Sequence, residues 1–94
     1  MSGVIWLPEA LLDVARLYVF LKTKNTRAAK RVAGILQKGG NMLSTYPEAG
    51  SPITGDKREL VMPFGAGAYV LRYRIESQTV FIIRVWHSKE NRVK

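Results

Sequence analysis

Residues 68–87 read AYVLRYRIESQTVFIIRVWH, two runs rich in β-branched and aromatic residues joined by the short polar link Glu76-Ser77-Gln78. That pattern predicts an antiparallel hairpin. Side chains alternate across a strand, so Tyr69, Leu71, Tyr73 and Ile75 share one face while Val70, Arg72 and Arg74 share the other. The first strand thus has a core face and a charged face. The second run is apolar on both sides, with Val80 and Ile82 on one and Phe81, Ile83 and Val85 on the other, which predicts a strand inside the sheet. It ends in Arg84, Trp86, His87, Lys89 and Arg92, an aromatic residue and the only histidine of the chain set among cations.

The segment before the hairpin must supply what covers its core face. Val4-Ile5-Trp6-Leu7 reads as a short strand, and Pro8 followed by Glu9 marks a helix start, because proline is tolerated in the first turn and a carboxylate suits the positive end of the dipole. In this first helix Leu11, Val14, Ala15, Tyr18 and Leu21 recur at spacings of three and four, widened by Val19 and Phe20, with Asp13 and Arg16 turned away. Asn25 or Thr26 can cap a second helix, whose stripe runs through Ala29, Val32, Ala33, Leu36, Gly40 and Leu43 to Pro47. Gly39-Gly40 inside it costs about 1 kcal/mol per glycine, which predicts a kink or a break. Residues 47–57 carry two prolines and two glycines and read as a loop, Arg58 to Met62 as a third strand, and Pro63 to Gly67 as the turn into the hairpin, with Phe64 folding back over the core. The expected fold is α+β, in the order β-α-α-β-β-β, a mainly antiparallel sheet packed on a helical hairpin.

Ninety-four residues make one small domain, 1–94. A formal charge of +8 makes an acidic partner the expectation, whether nucleic acid, protein or lipid. Between Val14 and Pro47 there are seven basic residues and no acidic one, which reads either as a solvated helical surface or as a docking face. No run is long enough to cross a bilayer, so a cytoplasmic protein without membrane association is the default. Without cysteine and with a single histidine, neither a disulfide nor a metal site is expected, and no cofactor motif is present: Gly65-Ala66-Gly67 precedes no helix pattern and is a turn. Ser88 beside His87 does not make a hydrolase triad, because adjacent strand residues point apart. A metal-independent ribonuclease is chemically possible, since RNA supplies its own 2′-hydroxyl nucleophile. His87 with Arg58, Arg72, Arg84 and Arg92 would be its candidate catalytic set. Surface histidine, core tryptophan and an Arg84 ion pair with Glu59 or Glu90 are the plainer readings of the same residues.

Five stretches in order resemble a known family: Ile5-Trp6-Leu7-Pro8-Glu9-Ala10, Tyr46-Pro47-Glu48-Ala49-Gly50, Arg58-Glu59-Leu60, Tyr69 to Ile75, and Ile83-Arg84-Val85-Trp86-His87 with Arg92. Together they resemble the RelE/ParE superfamily of type II toxin–antitoxin toxins, over nearly the whole chain. The resemblance implies a compact toxin from a plasmid-stabilisation type of system, neutralised by a cognate ParD-like antitoxin whose C-terminal part wraps it. Ribosome-dependent mRNA interferases of the RelE type usually carry an arginine three positions before the tyrosine equivalent to Tyr73, where this chain has Val70, although His87 matches a histidine of some nuclease members. The better match is to the ParE branch, which implies inhibition of DNA gyrase by a protein that is not an enzyme. On that reading Arg84, Trp86, His87, Lys89 and Arg92 are candidate target contacts, and Lys24, Arg27, Arg31, Arg72 and Arg74 candidate antitoxin contacts. The alternatives are a RelE-like nuclease acting on the ribosome and its mRNA, and a basic nucleic-acid-binding module without toxicity.

Overall fold

The computed structural model describes residues 3–90. Strand β1 (Gly3–Trp6) leads into helices α1 (Pro8–Lys22) and α2 (Thr26–Thr45), followed by β2 (Ser51–Pro52), β3 (Lys57–Phe64), β4 (Gly67–Glu76) and β5 (Thr79–His87). The sheet order is β1-β5-β4-β3-β2, with β1 parallel to β5 and the other pairs antiparallel. The expected α+β architecture is present, and the segment expected to be only a loop adds the two-residue strand β2. Ser77 and Gln78 close the β4–β5 hairpin with φ of 50° and 65°. Two consecutive left-handed residues give the turn whose twist matches the flanking strands.

Each helix begins as its sequence dictates: Pro8 stands in the first turn of α1, and the Asn25 side chain accepts the Ala28 N–H at 3.1 Å. The buried face of α1, however, is Ala10, Asp13 and Leu17, with Val14 and Leu21 at its margin. Leu11, Ala15, Val19 and Phe20, expected on the core side, are exposed. Residue spacing locates an apolar stripe, but α1 carries apolar residues around most of its circumference. Only packing selects among them.

Helix α2 runs unbroken through Gly39 and Gly40, where a kink or a break was expected, so the two glycines do not divide it. Both glycines are buried against the sheet, and a Cβ would meet the Met62 sulfur at 2.4 Å from Gly39 and the Trp6 ring at 2.8 Å from Gly40. They permit close approach of helix to sheet, and the packing offsets their propensity cost. The core lies between this helical layer and one sheet face, where Leu36, Leu43, Leu71, Tyr73, Val80, Ile82 and Val85 are buried.

Strict alternation would turn Val85 away from Val80 and Ile82. In the structure Arg72 pairs with Arg84 but Tyr73 pairs with Ile82, so Ile83 is an extra residue in β5 and the face alternation inverts there. Val85 therefore enters the core. On the far face Arg72 binds Glu59 through Nε and Nη2, at 3.0 and 2.7 Å, and lies over the Trp86 ring at 4.9 Å. Arg74 lies over Phe81 at 4.7 Å. These contacts give the charged face of β4 its own order, each cation resting on an aromatic ring.

The opposite end of the sheet is closed by Tyr73. Its buried hydroxyl donates to the Pro47 carbonyl at 2.7 Å and accepts the Gly50 N–H at 2.9 Å. Arg58 completes the clamp by donating from Nε to Gly50 O and from Nη2 to Glu48 O. Tyr73→Phe strands that N–H and is expected to cost about 1–3 kcal/mol in chemical denaturation. A loss below about 0.5 kcal/mol, within the range of a neutral surface change, would mean that the hydroxyl does not hold this loop.

Candidate functional site

Strand β1 is too short to accompany β5 to its end. Its last ladder contact is the Leu7 N–H bonding to Ile82 O at 2.9 Å, after which Pro8 turns the chain into α1. From Ile83 onward the outer edge of β5 must find other partners, and α1 provides them as side chains. Asp13 Oδ2 accepts the Val85 N–H at 2.8 Å, and Arg16 Nη2 donates to Val85 O at 3.4 Å. Two helical side chains replace a strand.

Asp13 is also the hub of an ionic chain. Arg84 donates from Nε and Nη2 to its two oxygens at 2.8 and 3.1 Å, Arg16 donates to Oδ1 at 3.2 Å, and Arg16 also pairs with Glu90. Burial alone would raise the Asp13 pKa, but the hydrogen bonds from Arg84, the Val85 N–H and Arg16 outweigh it and hold the carboxyl below its ordinary value. The partner expected for Arg84 was Glu59 or Glu90. The structure gives it Asp13 instead, because Glu59 is taken by Arg72 and Glu90 by Arg16.

The turn after β5 is closed by its own polar groups. The His87 N–H donates to Glu90 Oε1, the Glu90 N–H to His87 O, and the Lys89 N–H to His87 Nδ1 at 3.1 Å. With Nδ1 accepting, a neutral His87 ring carries its proton on Nε2. The ring stands edge-on to Tyr69 with centroids 4.9 Å apart, and it fits only because residue 67 is glycine: a Cβ there would lie 2.6 Å from the imidazole. Burial first, and the Glu90 carboxylate second, raise the Tyr69 pKa above its ordinary 10.0, so the phenol stays protonated. Between this turn and α1 lies a groove of about 510 Å³, floored by Leu17, Leu21 and Tyr69 and rimmed by Arg16, Phe20, His87, Lys89 and Glu90. A more open hollow of about 820 Å³ beside Tyr46, Pro47 and Ile75 holds none of the expected site residues.

Among the described residues, the members of the candidate ribonuclease set do not converge. His87 faces the helical side beside Tyr69, Arg72 lies on the opposite face, and Arg84 is bound to Asp13. Arg58 pairs in register with Tyr73, four residues along β4 from Tyr69, a separation of about 13 Å at strand rise. Of the target-contact set, Trp86 is buried under Arg72 on the far face while His87 and Lys89 border the groove. Arg92 lies outside the described residues. The antitoxin set divides likewise: Lys24, Arg27 and Arg31 are exposed at the helical hairpin, with Lys24 over Phe20 and Arg31 over Phe64, whereas Arg72 and Arg74 are on the far face. Sequence reasoning missed Asp13, Arg16 and Glu90. One signal was available, since Asp13 is the single acidic residue between Glu9 and Glu48.

Residues 4–92 match the sequence model of a family described as the ParE toxin of the type II toxin–antitoxin system parDE. The chain belongs to this toxin family. It is 38% identical to Toxin RelE1 of Caulobacter vibrioides over 84 residues, covering 89% of this chain and 90% of that one. Toxin RelE3 of the same organism is 33% identical over 85 residues, covering 90% and 92% of the two chains. In fold the toxin is similar to a solved chain of the chromosomal ParDE system from P. aeruginosa, with a TM-score of 0.75, 17% identity, and coverage of 90% and 94%. The toxin's α+β domain is thus the fold of that system, and its family pairs each toxin with a cognate antitoxin.

Two substitutions test this end of the toxin. A folded-state pKa held below the ordinary 3.8 stabilises the fold above that pH, and the contribution is lost as pH falls through the lowered value. Asp13→Asn is therefore expected to lower the melting temperature at pH 7 and to flatten its decline below about pH 4. A parallel acid decline in both proteins would remove Asp13 as the cause. Gly67→Ala is expected to expel His87 from its seat, seen as loss of the ring-current shift that Tyr69 imposes on the imidazole protons in NMR spectra. An unchanged His87 spectrum would contradict the steric account.

Proposed function

We propose that this toxin arrests growth by binding and inhibiting DNA gyrase in the cytoplasm, without catalysis of its own, and that a ParD-like antitoxin neutralises it. The observation that carries this reading is the dispersal of the cations around His87. Cleavage of RNA needs a base, an acid and phosphate donors converging within hydrogen-bond reach of one scissile bond. Arg58, Arg72 and Arg84 are each committed to a different partner, the Gly50 carbonyl, Glu59 and Asp13. Val70, at the position where the resemblance places an interferase arginine, is buried and its side chain has no donor. The lone pair of His87 Nδ1 is already engaged, leaving an N–H on the other nitrogen where a general base needs an acceptor. Cations that bind RNA without differential stabilisation of the transition state do not accelerate its cleavage. A protein target asks only for a surface, and the end of β5 offers one on each side of the sheet, His87 and Lys89 beside the groove and Arg72 over the Trp86 ring on the far face.

Purified toxin is expected to inhibit supercoiling by gyrase and to leave mRNA on translating ribosomes intact. Unimpaired supercoiling together with codon-specific cleavage would overturn the proposal and make His87 a catalytic residue.

A further inference from the structure

We propose that the outward face of α2 is a contact surface for the phosphate backbone of duplex DNA. The inference goes beyond the reading of gyrase as target and does not depend on it, although gyrase works on duplex DNA and a toxin docked there would stand beside that substrate.

This face lies opposite the buried positions Val32, Leu36 and Leu43. At helical spacing it is formed by Arg27, Lys30, Arg31, Gly34 and Lys38, all of them exposed. The helix has no carboxylate in its 20 residues, and none of the four cations has an ion pair among the described residues. A helix face that only meets solvent commonly interleaves both signs of charge. Here each choice works against the helix that carries it. Arg27 with Lys30, and Arg27 with Arg31, place like charges three and four residues apart, where they repel. Arg27 also stands in the first turn, at the positive end of the dipole, where no acidic residue offsets it.

Gly34 lowers helix propensity at an interior position, and nothing inside the toxin asks for it. A Cβ there would meet no atom within 4 Å, whereas Gly39 and Gly40 are pressed against Met62 and Trp6. Local rules broken together, with no packing to offset them, mark a face that serves a partner. That partner is polyanionic, and it comes close enough to the helix backbone at Gly34 for a side chain to obstruct it.

Duplex DNA meets these requirements better than other polyanions. A protein interface is built round apolar anchors, and the stripe from Arg27 to Lys38 carries none, while the exposed Leu11, Leu12 and Val19 belong to α1. Single-stranded nucleic acid is gripped on aromatic platforms, which this face lacks. The grooves of B-form DNA admit a straight helix, and the narrow major groove of double-stranded RNA does not. Arg27 and Lys38 lie about 16 Å apart along the helix, a span over which one DNA strand presents about five phosphates.

The test measures binding of full-length toxin, freed of antitoxin, to a short fluorescent DNA duplex of mixed sequence, by polarisation at several salt concentrations. Affinity is expected to fall linearly with salt on a double-logarithmic plot. Lys30→Gln and Lys38→Gln are each expected to weaken binding about threefold or more and to lower that slope by about 0.9. Lys57→Gln removes the same charge on the far face of the sheet, in register with Arg74, and is expected to weaken binding less than about twofold. Gly34→Ala separates a contact from a folding defect: it is expected to raise the melting temperature by about 4 °C or more while weakening DNA binding about threefold. No saturable binding at low salt, an equal loss with Lys57→Gln, or undiminished affinity in Gly34→Ala would overturn the proposal. So would Lys30→Gln and Lys38→Gln variants that bind DNA as the parent does but lose affinity for the antitoxin, a result that gives this face to a protein.

Discussion

A single buried carboxylate, Asp13, lets this small sheet end where it does. Only four residues of β1 pair with β5, so the remainder of a central, apolar strand would face outward with an open edge. Asp13 takes the Val85 N–H and Arg16 reaches the Val85 carbonyl, which continues the ladder with side chains from α1. The ionic cost of burying a carboxylate is met by three donors converging on it. The register of β5 beyond Ile83, the core position of Val85, and the placement of the His87 turn all follow from that junction.

The same junction distributes the positive charge of the molecule. Arg84, Arg72 and Arg58 look like functional cations when read along the chain. In space each is a structural donor, to Asp13, to Glu59 and to the carbonyls of Glu48 and Gly50 respectively. Apart from these, the positive charge without an ion pair among the described residues lies at the helical hairpin, at Lys57 and at Lys89 beside the groove. A basic protein of this size thus uses part of its charge to hold itself together, and offers a partner the remainder, beside apolar surface that the core has no room to bury. Charge that steers association and apolar area that supplies affinity lie next to each other on α1.

The motifs that carry the family resemblance prove to be largely architectural. Tyr73, Gly50 and Arg58 form the clamp at one end of the sheet, and Arg84 belongs to the Asp13 junction at the other. This explains why the family was legible while the chemistry of the site was not. Residues that hold a fold together recur with it, whereas a contact surface is defined by side chains from several elements and leaves no local pattern. His87, Lys89 and Phe20 come from the strand end, the turn and the first helix, and no spacing along the chain announces that they meet.

The sequence by itself determined the order of elements, the β4–β5 hairpin, the central place of β5, the two faces of β4 and the helix starts at Pro8 and Asn25. Each follows from local periodicity, turn chemistry or capping, which act over a few residues. Tertiary structure decided which side of α1 is buried, that α2 continues as one helix through Gly39 and Gly40, that Ile83 bulges and returns Val85 to the core, and that Asp13 is the partner of Arg84. Those outcomes depend on what lies across the interface: a methionine sulfur and an indole that leave no space for a Cβ, and a strand edge whose N–H must be satisfied by whatever element passes it. A helix apolar around most of its circumference has no intrinsic inside, and only packing against a particular sheet gives it one.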